Sequence, residues 1–243
     1  MTDNIAIETM RENILEIRAK IAQAAKRSGR KPEDVTLIGV SKFQPLESLY
    51  MALDCGITIL GENRVQEREQ KAASWKRGKT EWHMIGHLQR NKAKKALELF
   101  DCIQSVDSFG LASALEKNLA SKSDHGLNAA PYAIMIEANT SGEETKNGAA
   151  PGECLSLADK IISECKNLKI DGLMTIGPLS GLSDSRRSFA LLRSIAEDIS
   201  AKLGITMRHL SMGMSGDFEP AIEEGASLVR IGTGIFGPRH QGK

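Results

Sequence analysis

At 243 residues the chain is long enough for one large domain or two small ones, and its 41% apolar content is ordinary for a globular protein. A formal net charge of +1 leaves no global field to draw in nucleic acid or a membrane surface. The four cysteines, Cys55, Cys102, Cys154 and Cys165, are scattered without a C-x-x-C pair, which argues against a metal site or a disulfide framework and for a reducing compartment.

The start, Met1-Thr2-Asp3-Asn4, has neither a basic segment nor an apolar leader. No apolar run approaches membrane-spanning length, so the expected location is cytoplasmic. From about Asp3 to Arg27, the residues Ile7, Met10, Ile14, Ile17 and Ile21 form one stripe at helical spacing, with Thr2 or Asp3 placed to cap it. Gly29 and Pro32 mark its end. An alternation then begins. Val35 to Val40 is short and β-branched and reads as a strand running to Lys42, with a helix from Pro45 to Leu53. Ile57 to Leu60, Trp82 to Gly86, Cys102 to Val106 and Tyr132 to Glu137 read as further strands. Helices are expected at 65–74, 91–100, 108–122 and 151–165. Ile170 to Thr175, Arg208 to Met212 and Leu228 to Gly232 complete the strands, with helices at 185–203 and 218–224. Gln104 and Ser105 make the fourth strand the weakest of these assignments.

Eight strands alternating with helices imply a parallel sheet. The count and the length favour an α/β chain folded as a single (β/α)8 TIM barrel over residues 1–243, with residues 1–30 as an extra N-terminal helix packed on it. No Gly-x-Gly-x-x-Gly follows the first strand, which lowers the case for a dinucleotide fold.

Active sites of such barrels lie at the C-terminal strand ends. Those ends carry Lys42, Asn63, His87, Ser105, Glu137 with Asn139, Met174 with Thr175, Ser215, and Arg230 with Gly232 and Thr233. A strand-end lysine either snorkels to solvent or, desolvated near other cations, becomes a nucleophile toward carbonyls. The stretches Ser211-Met212-Gly213-Met214-Ser215-Gly216-Asp217 and Arg230-Ile231-Gly232-Thr233-Gly234 read either as ordinary Gly-rich turns or as a phosphate site. A phosphate site opposite a lysine suits an aldehyde bearing a phosphate, and pyridoxal 5′-phosphate (PLP) is one. His83 reads as a hydrogen-bonded core residue, the methionines as packing, and the basic run Arg90 to Lys95 as a solvated helix face.

Several motifs carry a family resemblance. They are Gly39-Val40-Ser41-Lys42, Gly61-Glu62-Asn63-Arg64-Val65-Gln66-Glu67, the run from Trp82 to Lys92 (W-H-M-I-G-H-L-Q-R-N-K), Gly172 to Ile176, Ser211 to Asp217, and Arg230 to Thr233. Through them the chain resembles the YggS/PROSC-type PLP homeostasis proteins over nearly its whole length. The resemblance implies a barrel like the alanine racemase N-terminal domain, with PLP as a Schiff base on Lys42. It also implies phosphate contacts from Ser215, Gly232 and Thr233, Arg230 beside the pyridine nitrogen, and Asn63 near the ring. The loop Asn139 to Gly148, with Glu144-Thr145-Lys146-Asn147-Gly148, is expected to be mobile and functional. The chain stops soon after Gly237-Pro238-Arg239-His240, a departure from the family pattern.

The expected role is a PLP carrier and regulator of vitamin B6 and amino-acid homeostasis, not an enzyme, with no catalytic residues and no metal. It is expected to be a monomer, with apo PLP-dependent enzymes as candidate recipients. A racemase is the alternative, but alanine racemase takes its second base from an additional domain that this length does not accommodate. A cofactor-free Schiff-base aldolase on Lys42 is a third reading, against which Arg230 stands.

Overall fold

The β-branched runs pair into the expected closed sheet. In the computed structural model, which describes residues 2–78, 80–123, 130–143, 145–178 and 181–237, eight strands form a parallel barrel in sequence order. The strands are β1 (Thr36–Val40), β2 (Ile59–Glu62), β3 (Glu81–Met84), β4 (Cys102–Val106), β5 (Tyr132–Glu137), β6 (Leu168–Met174), β7 (His209–Ser211) and β8 (Leu228–Ile231). Pairing of Leu37 with Val229 and of Ile38 with Arg230 closes β1 on β8. The register shifts between Ile103 and Val106 on the β4–β5 ladder, and again between Ile134 and Met135 on β5–β6. Such irregularities re-aim side chains near barrel rims.

The connecting helices are α2 (Leu46–Asp54), α3 (Val65–Ala73), α4 (Ala93–Leu99), α5 (Phe109–Ser123), α6 (Cys154–Glu164), α7 (Leu182–Leu203) and α8 (Phe218–Glu223). A preceding helix, α1 (Thr2–Arg27), packs on α2, α8 and α9 (Thr233–Phe236). The stripe on α1 is buried at Met10, Ile14, Ile17 and Ile21. Its end follows from Gly29, at φ 70°, which lets Arg30 N–H reach Ala25 O at 2.8 Å. The expected Thr2 or Asp3 cap lies outside the described side chains, as do Glu144 and the tail Pro238 to His240.

Two apolar layers hold the barrel. Between sheet and helices pack Leu60, Trp82, Ile103, Leu115, Phe189 and many others. Inside, Ile38, Ile59, Cys102, Met135, Met174 and Leu228 fill the middle. The strands start and stop a residue or two away from the sequence reading. The two shifts that bear on the site are β1, which ends at Val40, and β2, which runs to Glu62.

Candidate functional site

Because β1 stops at Val40, Lys42 is not the last strand residue; it sits in a turn closed by Gln44 N–H to Ser41 O at 3.1 Å. Its side chain is half-buried. Ser41 beneath it is fully buried. Its N–H donates to Gly61 O at 2.9 Å and its hydroxyl to Glu62 Oε1 at 2.8 Å. Lys71, from α3, donates to Ser41 O at 2.7 Å and pairs with the Glu62 carboxylate. Burial pushes the Glu62 carboxyl upward, against the pull of Lys71 and Ser41.

Next to the Lys42 turn, since β8 pairs with β1 and β7 with β8, the loops after β7 and β8 meet. Thr233 Oγ1 donates to Ser215 Oγ at 3.2 Å, and Gly234 N–H points at the same oxygen at 3.4 Å. Gly213 makes this loop possible: its φ is 92°, and a Cβ there would stand 2.7 Å from Ala221 and 2.8 Å from Phe218. Asp217 closes the turn by accepting Met214 N–H at 2.7 Å. Lys42, Gln44, Met214, Ser215, Arg230 and Thr233, with Val40, Gly216 and Gly232, line one cavity of about 220 Å³.

Arg230 forms the inner wall of that cavity at 4% exposure. Its Nη2 donates to Thr175 O at 2.7 Å and its Nη1 to Ser211 Oγ at 2.7 Å. The Ser211 hydroxyl donates to Gln104 Oε1 at 2.6 Å. Gln104 Nε2 lies 2.6 Å from His83 Nδ1, and His83 Nε2 lies 2.8 Å from Glu81 Oε1. A polar column thus descends from the cavity to the far end of the barrel. Desolvation lowers the Arg230 pKa to about 10, opposed by Glu137 and Asp217, so the guanidinium stays protonated at neutral pH. Glu137, at the C-terminal end of β5, is 4% exposed, and its Oε2 has no hydrogen-bond partner among the described residues. Burial, with Asp107 nearby, raises its pKa to about 7; Arg230 pulls the other way.

Of the six residues expected at a ligand, Lys42, Ser215, Arg230, Gly232 and Thr233 share one cavity. Asn63 lines a separate hollow of about 500 Å³ with Met84, His87 and Lys92, so the cavity does not include it. Gly86 permits its placement, since a Cβ there would lie 2.3 Å from Asn63 O. Asn63 Oδ1 is shut from solvent and has no partner among the described residues. His87 is exposed, 3.3 Å from Asp107. His83 is the hydrogen-bonded core residue expected of it. In the 139–148 loop, Asn139 Nδ2 donates to Glu143 O at 2.9 Å, and Lys146 Nζ to Gly177 O at 2.9 Å. The sequence reading missed the Ser41–Glu62–Lys71 cluster and the Ser211–Gln104 support of Arg230. Two signals were available: a glutamate inside an apolar strand end, and a glutamine and serine inside β4.

The alanine racemase N-terminal domain family matches residues 7–240. A pyridoxal phosphate homeostasis protein of Aquifex aeolicus is 39% identical over 229 residues, spanning 94% of this chain and 97% of that one. The chain belongs to the pyridoxal phosphate homeostasis protein family. This bears out the resemblance carried by the motifs. PipY of Synechococcus elongatus, solved with PLP bound, matches with a TM-score of 0.75 at 32% identity, over 89% of this chain and all of that one (100%). An alanine racemase of Clostridium difficile matches with a TM-score of 0.73 over 96% of this chain and 57% of that longer one. At 13% identity the latter likeness is one of fold, and it agrees with the racemase-like barrel expected from sequence.

Proposed function

We propose that this chain binds PLP at the barrel mouth and serves intracellular PLP and amino-acid homeostasis without catalytic turnover. One observation carries the reading: an amine, a buried guanidinium and two hydroxyls line the same small cavity. Lys42 is the amine that forms the Schiff base. Ser215, Thr233 and the Gly232 backbone hold the phosphate, Arg230 stands beside the pyridine nitrogen, and Asn63 lies near the ring. The fit is supported by the convergence of Thr233 Oγ1 and Gly234 N–H on Ser215, and by the unpartnered Asn63 Oδ1, an acceptor in want of a donor.

PLP supplies an aldehyde that condenses with amines and a ring that withdraws electrons when its nitrogen is protonated. Arg230 only donates hydrogen bonds and holds its own proton at neutral pH, so it does not protonate that nitrogen. Such a ring is held rather than used for carbanion chemistry. The whole chain acts as one PLP-binding unit, a cytoplasmic monomer, with apo PLP-dependent enzymes as recipients.

The test is PLP titration followed by borohydride reduction and peptide mapping. The reading expects reduced cofactor on Lys42, none in Lys42→Ala, and a fold unchanged by circular dichroism. It also expects α-proton exchange of amino acids in D2O far below enzymatic rates. A fixed adduct that survives Lys42→Ala removes the lysine assignment. Racemisation at an ordinary enzymatic rate, lost in Lys42→Ala, replaces the carrier with a racemase.

A further inference from the structure

The turn that carries Lys42 is strained and is tied to one helix from both sides. Phe43, directly after Lys42, has φ 61° and is the one non-glycine residue with positive φ among the described residues. That region crowds any side chain with a Cβ, and glycine or asparagine is the usual occupant. Packing does not compensate, because the Phe43 side chain is 62% exposed. Hydrogen bonds do. Phe43 N–H donates to Glu67 Oε2 at 3.1 Å. One residue before Lys42, Ser41 O accepts from Lys71 Nζ at 2.7 Å, and Ser41 Oγ donates to Glu62. Glu67 and Lys71 are four residues apart on α3 and so share one face of it. The Lys71 side chain is 12% exposed and the Glu62 side chain fully buried, so this anchor is shielded from water.

From this geometry we infer that Glu67 and Lys71 are positioning residues. α3 grips the Lys42 turn on both sides and sets the direction from which the amine meets the aldehyde. The inference rests on the Schiff-base reading of Lys42. In that step Lys42 gives its ammonium proton to solvent, its nitrogen bonds to the aldehyde carbon, and the carbonyl oxygen departs as water. Without Glu67 the turn relaxes toward negative φ at Phe43 and the Lys42 side chain swings from its line of approach. The loops after β7 and β8 share the cavity with Lys42 but are held by bonds of their own, Thr233 Oγ1 and Gly234 N–H to Ser215 Oγ and Met214 N–H to Asp217, none of which involves Glu67 or Lys71.

The experiment mixes the full chain with PLP, quenches with borohydride at successive times, and quantifies reduced cofactor on the Lys42 peptide. A second arm measures binding of pyridoxine 5′-phosphate, which has the ring and phosphate but no aldehyde. Glu67→Ala should slow adduct formation about 10- to 100-fold, the scale of a small misplacement of a reacting group. Its binding of pyridoxine 5′-phosphate should match the wild type. Glu67→Gln keeps an oxygen acceptor for Phe43 N–H and should restore the rate. Lys71→Met, made together with Glu62→Gln so that no buried carboxylate is stranded, should slow the reaction in the same way. A wild-type rate in Glu67→Ala overturns the inference. So does equal weakening of PLP and pyridoxine 5′-phosphate, which would make Glu67 a purely structural residue. If the wild type itself forms no adduct on Lys42, the Schiff-base reading falls, and the positioning role with it.

Discussion

Glu137→Gln isolates the electrostatics beneath the cavity. The side chain is 4% exposed, its Oε2 has no partner among the described residues, and burial and Asp107 raise its pKa from 4.5 to about 7. The native state therefore keeps a proton that the unfolded chain releases between those values. Below about pH 4.5 both states hold the proton and the group leaves stability unchanged. As pH rises toward 7, native stability falls by about 1.4 kcal/mol per unit. Above pH 7 the loss levels off at roughly 3 kcal/mol, the equivalent of the whole displacement. Glutamine has nearly the same shape and does not titrate. In urea titrations of ligand-free protein, the variant's stability relative to wild type should rise between pH 5 and pH 8 by most of that amount, about 2.5 kcal/mol, independent of any constant packing difference. Parallel profiles across that range would refute the reasoning. They would show that attraction to Arg230 outweighs burial and keeps Glu137 an ordinary carboxylate.

Other perturbations follow from the same geometry. Ser215→Ala and Thr233→Ala each remove one hydroxyl facing the proposed phosphate. Both residues are exposed, so the loss should sit at the lower end for a charge-assisted bond, about 1.5 kcal/mol or a tenfold rise in Kd for PLP by fluorescence titration. Pyridoxal without phosphate should be indifferent to either change; equal sensitivity would remove the phosphate assignment. Gln104→Leu strips the acceptor from the Ser211 hydroxyl and the partner from His83, both inside the barrel. Leaving buried polar groups unmet should cost about 2 kcal/mol, read as a lower urea midpoint at constant m-value. An unchanged midpoint would mean that the column contributes nothing to stability.

The barrel was legible because its signals are local. Ile170 to Met174 and Leu228 to Ile231 carry the strand pattern in their own composition, and Gly29 stops α1 at positive φ where the sequence places its end. The misplaced edges had causes outside the local pattern. Val40-Ser41-Lys42 reads as one continuing strand because the turn after it lacks glycine or asparagine; Phe43 takes positive φ there with its N–H bonded to Glu67 and Ser41 held by Lys71 and Glu62. Glu62 falls just past the strand read from sequence, Ile57 to Leu60, yet it ends β2 fully buried, where Lys71 from the next helix pairs with it. Gln104 and Ser105 weakened β4 in the sequence for the reason that Gln104 matters in the fold: it faces Ser211, 107 residues away. The cavity residues could be named from strand ends. What supports them left only the weaker signal of Glu62, Gln104 and Ser105 in apolar strands, because their partners, Lys71 on the next helix and Ser211 on β7, are set by the fold.

Those supports give the cavity a definite charge. Arg230 is buried, and the groups that accept its hydrogen bonds at Ser211 and Thr175 are neutral oxygens. Two carboxyls act on its charge: Glu137, raised by burial to about 7 and so only partly ionised at neutral pH, and Asp217, which also accepts Met214 N–H. The guanidinium is therefore solvated by dipoles and only partly compensated by Glu137. Its remaining field reaches the same cavity that Lys42 lines. Inside a low-dielectric barrel such a field is screened far less than at the surface. A ligand carrying negative charge at its phosphate would be drawn to this mouth despite a chain whose net charge is only +1. Glu137→Gln removes the partial negative charge beside Arg230, so inorganic phosphate should bind the variant at least as tightly as wild type at neutral pH; weaker binding would show that Glu137 does not offset Arg230.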